Sequence, residues 1–193
     1  MADGFIRWYR ESAATPVFDE QVALFEARGL ALVHPAGGQA VVLNVEGDGI
    51  PIRQEDLGRL LALRIASITM NWWFTADTNV VGEYSYEPLG CEIQTLWLDG
   101  VSADEARRVE AAVVTSAMRL PVPTRAVIVD RDGVSDPDDW DSLVLYDGAD
   151  VGRFPDSVLA QAQIAEKILR ATPSLTRQYV RGGLTRLSRA NGA

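Results

Sequence analysis

Ser67-Ile68-Thr69-Met70-Asn71-Trp72-Trp73-Phe74-Thr75-Ala76, Val80-Val81-Gly82-Glu83-Tyr84-Ser85-Tyr86-Glu87 and Cys91-Glu92-Ile93-Gln94-Thr95-Leu96-Trp97-Leu98 are the three runs whose reading decides the fold. Each is rich in β-branched and aromatic residues. The gaps hold turn formers, Asp77-Thr78-Asn79 and Pro88-Leu89-Gly90, so the stretch predicts a three-strand meander over 67–76, 80–87 and 91–98. A turn at Pro88-Leu89 would set Tyr86 opposite Cys91 and Tyr84 opposite Ile93. Tyr84, Tyr86, Cys91, Ile93 and Trp97 would then share one face, and Glu83, Ser85, Glu92 and Gln94 the other, joined by Asn71 and Trp73. The same alternation makes Trp72 and Phe74 core residues and turns Trp73 away from them.

Upstream, 17–28 repeats apolar residues at helical spacing and stops at Gly29, and 54–65 does so again with Leu57, Leu60, Leu61 and Leu63. Between them, 30–34 and 40–45 flank the Pro35-Ala36-Gly37-Gly38 turn of a hairpin. Downstream, Ser102 and Glu105 have capping-box spacing and open a helix that ends near Leu120, before Pro121 and Pro123. Ala126-Val127-Ile128-Val129 is a short strand of the kind buried on both faces. A strand at 143–146 and a helix over 157–170 are expected next. Residues 4–9 supply a first strand. The fold class is α+β: an antiparallel or mixed sheet with helices packed mainly on one face, built from a ferredoxin-like βαββαβ unit or from duplicated ββαβ units. Residues 1–170 form one α+β domain. Residues 171–193 form a basic C-terminal tail: Leu184 and Leu187 among Arg181, Arg186 and Arg189 could make a short amphipathic helix, and the favoured reading is that the tail docks on the chain's own aspartate-rich loop or frays.

The chain has 193 residues, 47% of them hydrophobic and 23% charged, which excludes fibrous and wholly disordered classes. No apolar run reaches the ~18 residues of a membrane span. Met1-Ala2-Asp3-Gly4 carries no basic and apolar leader, and the lone Cys91 cannot form an internal disulfide, so a reducing cytoplasm is expected. Lys167 is the only lysine among 18 basic residues, the arginine bias of a GC-rich bacterial genome. The net charge of −9 argues against general nucleic-acid binding, which needs concentrated Lys and Arg. That charge is uneven: nine aspartates between Asp130 and Asp156 stand against Arg131 and Arg153, while six basic residues and no acid lie from Lys167 onward.

One histidine, His34, and one cysteine cannot assemble a zinc site, and a Cys-His dyad would need Cys91 and His34 to meet. Serine-hydrolase elbows, P-loops and dinucleotide fingerprints are missing. The sharpest motif is Val127-Ile128-Val129-Asp130-Arg131-Asp132-Gly133-Val134, which resembles the first motif of the haloacid-dehalogenase-like phosphatases. The resemblance implies Asp130 as phosphoryl-accepting nucleophile and Asp132 as general acid beside a magnesium ion. It spans eight residues, and only 60 follow Gly133, where the family's first motif normally opens its domain. Asp130, Asp132 and Asp136 also read as a hard-cation site for Mg²⁺ or Ca²⁺. A third reading is a turn-rich connection in which Asp136-Pro137 opens a helical turn.

These observations favour a non-catalytic, acidic, cytosolic binding protein that sequesters a basic protein partner, as toxin-neutralising immunity proteins do, through Glu83, Glu92, Trp73, Asp138 and Asp139. The first alternative is a metal-dependent hydrolase built on Asp130 and Asp132. The second is a small-molecule sensor.

Overall fold

The computed structural model describes residues 3–12, 17–64, 67–87, 90–146, 148 and 152–190. Its elements are β1 (Phe5–Glu11), α1 (Phe18–Glu26), β2 (Ala40–Leu43), β3 (Gly49–Ile52), α2 (Gln54–Leu63), β4 (Ile68–Trp73), β5 (Asn79–Glu87), β6 (Cys91–Trp97), α3 (Ala103–Arg119), β7 (Thr124–Asp130), α4 (Pro137–Leu145), β8 (Ser157–Gln161), α5 (Ala162–Ala171), β9 (Leu175–Tyr179) and β10 (Leu184–Arg189). All ten strands join one sheet in the order β3-β2-β4-β5-β6-β1-β7-β8-β10-β9. Every neighbouring pair is antiparallel. The meander is present as β4, β5 and β6, and the fold is α+β.

Alternation along β1 sends Ile6 and Trp8 into a core shared with α1, α2 and α3, and Phe5 and Tyr9 into a second core shared with α4 and α5. The larger helical layer thus covers one face and two short helices cover part of the other. Trp72 is buried in the first core against Phe25, ring centroids 4.6 Å apart, and Phe74 packs on its edge. The longest helix, α3, opens on the expected capping box, in which the Ser102 hydroxyl accepts the Glu105 N–H and the Glu105 carboxylate accepts the Ser102 N–H.

The strand order departs from both proposed building units. A ferredoxin-like unit sets its first and last strands side by side, whereas β5 and β6 separate β1 from β4. The duplicated plan fails because β4 pairs directly with β2, while β1 is inserted between β6 and β7. Residues 30–34 contribute only the bridges Ala31↔Trp73 and Val33↔Ala40, and the hairpin partner of β2 is β3.

Three C-terminal assignments are corrected. Residues 143–145 are helical because Asp136 caps, Pro137 starts and Asp138 and Asp139 fill the first turn of α4, so the apolar run Leu143-Val144-Leu145 continues a helix already begun. Residues 157–161 form β8 before α5 starts at Ala162; Val158, Leu159 and Ala160 are fully buried, and a strand buried on both faces shows no alternation. Residues 175–179 and 184–189 of the expected tail are strands of the same sheet, with β10 paired to both β8 and β9. Gly182 and Gly183, at φ 82° and 74°, make the turn between β9 and β10. The leucine spacing there is also compatible with a strand half-covered on both sides.

Candidate functional site

Asp130 ends β7 fully buried, and its carboxylate is used by its own loop. One oxygen accepts the Val134 N–H (3.0 Å), the other the N–H and hydroxyl of Ser135 (2.7 and 2.6 Å). Trp140 Nε1 in turn donates to that hydroxyl (3.0 Å). Asp136 caps α4 and Asp132 is exposed, so the three carboxylates serve separate places. Among the described residues no three His, Cys, Asp or Glu side chains come together as metal ligands. The Asp130 carboxylate thus pins its own loop.

Two more aspartates of the acidic segment are structural. Asp141 on α4 takes a bidentate grip from Arg7 (2.9 and 2.6 Å) and accepts from Tyr9 OH (2.6 Å), which fastens α4 to the sheet. Asp156 accepts the Arg131 N–H (2.7 Å) and its guanidinium (3.0 Å). Asp138 and Asp139 stand exposed, and Asp147 and Asp150 lie outside the described residues.

The meander holds a correction with larger consequences. Pro88 and Leu89 of the expected turn lie outside the described residues, but Glu87 pairs with Cys91 and the register runs Tyr86↔Glu92 and Tyr84↔Gln94, one residue from the expected one. A one-residue slip exchanges the faces of a strand. Glu92 and Gln94 therefore turn inward beside Tyr84 and Tyr86 and are buried, while Glu83 remains half-exposed on the opposite face with Asn71 and Trp73. Trp73 meets the edge of His34, whose Nδ1 accepts the Ala36 and Gly37 N–H groups. Cys91 lies in the other core, its thiol pushed up to about 12 by burial, so it is neither a partner for His34 nor a nucleophile near neutrality.

The corrected register assembles a buried polar cluster. Arg10 of β1 is 2% exposed and donates through Nε to Glu92 Oε2 (2.8 Å), through Nη1 to Gln21 Oε1 (2.8 Å) and through Nη2 to Tyr84 OH. Tyr84 OH donates onward to Glu92 Oε2 (2.8 Å). Gln21 and Gln94 exchange amide hydrogen bonds of 2.7 and 3.1 Å. The guanidinium also lies within cation–π range of Trp8 and Tyr84, 4.9 and 5.4 Å from their ring centroids. Desolvation raises the Tyr84 phenol strongly and pushes Tyr86 up to about 12.

This cluster floors a cleft of about 230 Å³. Its walls are Val17 and Phe18 at the start of α1, Gly58, Leu61 and Ala62 of α2, and Tyr86, whose hydroxyl donates to the Leu61 carbonyl. At the mouth Arg64, in the left-handed conformation at φ 53°, places a guanidinium nitrogen 3.4 Å from Glu92 Oε1. A wider hollow of about 610 Å³ lies beside Arg28, Arg107 and Arg108, but none of its lining side chains is buried.

The sequence carried two signals for this site. Arg10 follows Ile6 and Trp8 at period two, a charge in an inward slot of a strand. Gln21 interrupts the stripe Phe18, Val22, Phe25 of α1, an amide in a core position. No protein-family model matches the chain, and no curated protein or solved structure matches it either.

Proposed function

We propose that the protein is a small-ligand-binding protein, and that its site is the cleft between α1, α2 and the sheet over Arg10 and Glu92. The observation that carries this reading is a satisfied buried ion pair at the floor of an open cavity. A core needing only stability would be served as well by apolar side chains, because the desolvation cost of a buried pair usually offsets its attraction. Convergent polar groups beneath apolar walls are what small-molecule sites present. The groups suit holding over turnover: Glu92 Oε2 is committed to Arg10 and Tyr84, and both tyrosines retain their protons far above neutral pH. A ligand-observed NMR screen of neutral, anionic and cationic fragments against the wild type and Gly58→Leu tests this. Hits lost in the variant, which fills the cleft from its wall, support the reading; hits indifferent to it, or none, overturn it.

A second reading is a basic protein partner met by acidic surface in the cytoplasm. It is favoured by the −9 net charge and by the exposure of Asp138 and Asp139, with Glu83 on the sheet face that also bears Trp73. Electrostatic steering makes capture of such a partner slow as salt shortens the Debye length from ~30 Å at 0.01 M to ~8 Å at 0.15 M. Pull-down at both salt levels with wild type and with the charge reversals Glu83→Lys, Asp138→Lys and Asp139→Lys tests it. A partner retained equally by the reversed protein counts against it.

A further inference from the structure

Which ligand chemistry fits the cleft follows from how its charges are tied, an inference that rests on the cleft being a binding site. The described lining holds two guanidinium groups, Arg10 and Arg64, and one carboxylate, Glu92. Formal charge there is 2 − 1 = +1. The two arginines are not equivalent. Arg10 is locked, with all three of its nitrogens donating to Glu92, Gln21 and Tyr84. Arg64 is 39% exposed at the mouth and touches Glu92 at 3.4 Å through Oε1, the oxygen that Arg10 and Tyr84 do not use. The Arg64 guanidinium carries five N–H donors, so it can meet a ligand carboxylate at the mouth while keeping its contact with Glu92. A cation entering the same space would meet a carboxylate already neutralised by Arg10 and would have Arg64 as a neighbour of like charge.

The walls set the rest of the ligand. Phe18, Leu61 and the Tyr86 ring offer apolar and aromatic surface, and about 230 Å³, below the ~300–1,000 Å³ of drug-sized pockets, limits the ligand to roughly ten non-hydrogen atoms. Gly58 is part of the same design. A helix-interior glycine is unfavourable, yet a Cβ here would meet only Phe18 Cδ1 at 3.5 Å, ordinary contact, so steric conflict does not demand it. What a longer side chain would do at that position is fill the cleft.

We propose that the cleft binds a small amphipathic carboxylate, its apolar body against Phe18, Leu61 and Tyr86 and its anionic group on the Arg64 guanidinium at the mouth. A carboxylate meets guanidinium through two parallel hydrogen bonds, a geometry an ammonium group cannot supply.

The test is thermal denaturation with phenylacetate and hexanoate, and with phenethylamine and hexylamine as cations of matched body, on wild type, Arg64→Gln and Gly58→Leu. The carboxylates should raise the wild-type melting temperature by about 3 to 6 °C at ten times their Kd and the amines should not. Arg64→Gln, a substitution at the mouth that leaves the core untouched, should weaken carboxylate binding at least fivefold. Amines binding in place of carboxylates, with loss in Gly58→Leu, would overturn the anion assignment and leave the cleft as a site. Carboxylate binding that survives in Gly58→Leu would overturn both. If neither class shifts the melting temperature the anion assignment fails, and the cleft is then judged by the neutral fragments alone. Should Gly58→Leu not fold, the fivefold loss in Arg64→Gln decides.

Discussion

Arg10 on β1 and Glu92 on β6 are direct cross-strand partners, joined by a 2.8 Å ion pair in which neither side chain is more than 5% exposed. Their pairing makes each the condition of the other's burial. Glu92→Gln keeps the shape and removes the charge, so Arg10 stays buried without its counter-ion. The expected loss is about 3–5 kcal/mol in urea unfolding, and the triple replacement Arg10→Met, Glu92→Met and Tyr84→Phe, which also removes the hydroxyl the pair satisfied, should recover most of it. A single-variant loss below ~1 kcal/mol would mean the pair is solvated.

Gly58 gives the opposite sign. Alanine at this interior position of α2 meets nothing closer than 3.5 Å, so Gly58→Ala should stabilise by about 0.5–1 kcal/mol. Unchanged or lower stability on denaturant titration would show that α2 is constrained there by something other than helix propensity.

Asp130 is expected to matter for stability and not for metal. Asp130→Ala strips the acceptors from the Val134 and Ser135 N–H groups and should cost about 1–2 kcal/mol, below the full ~1–3 kcal/mol per unsatisfied buried donor because water reaches this half-exposed loop. Millimolar Mg²⁺ should leave the melting temperature of the wild type unmoved. A shift that Asp130→Asn abolishes would restore the metal-dependent reading.

Alkaline titration reads the buried phenols. Tyr9 and Tyr84 are raised by burial, and Tyr86 is pushed from 10 to about 12. The folded state then binds more protons than the unfolded state above pH 10, so the slope of stability with pH is negative there. Stability contributed by Tyr86 is full below pH 10 and is lost as pH rises to about 12; that of Cys91 begins to fall from pH 9, also toward about 12. Part of the tyrosinate absorbance should appear only together with unfolding. Immediate titration of all tyrosines at pH 10.5, with the fold intact by circular dichroism, would contradict the burial.

How far the sequence carried this picture depended on whether a signal was local. The Ser102 to Glu105 capping box, the Asp136-Pro137 helix start and the period-two runs of the meander lie within a few residues, and each is present in the structure. Strand order was not legible, because nothing near Phe5 records that β1 will lie between β6 and β7. The site was hidden by a one-residue shift of register: with Glu87 instead of Tyr86 opposite Cys91, Glu92 lies at the floor of the cleft and not on the solvated face. Leu184 and Leu187, three apart, read as a helix face until β8 and β9 supplied their neighbours.

The cleft itself is tested most directly by titrating phenylacetate into ¹⁵N-labelled protein and mapping the amide and arginine Nε shifts. Saturable changes confined to Phe18, Gly58, Leu61, Tyr86 and the Arg64 side chain are the expected result. Saturable changes that instead centre on α4 or the β9–β10 hairpin, with the cleft residues silent, would contradict it.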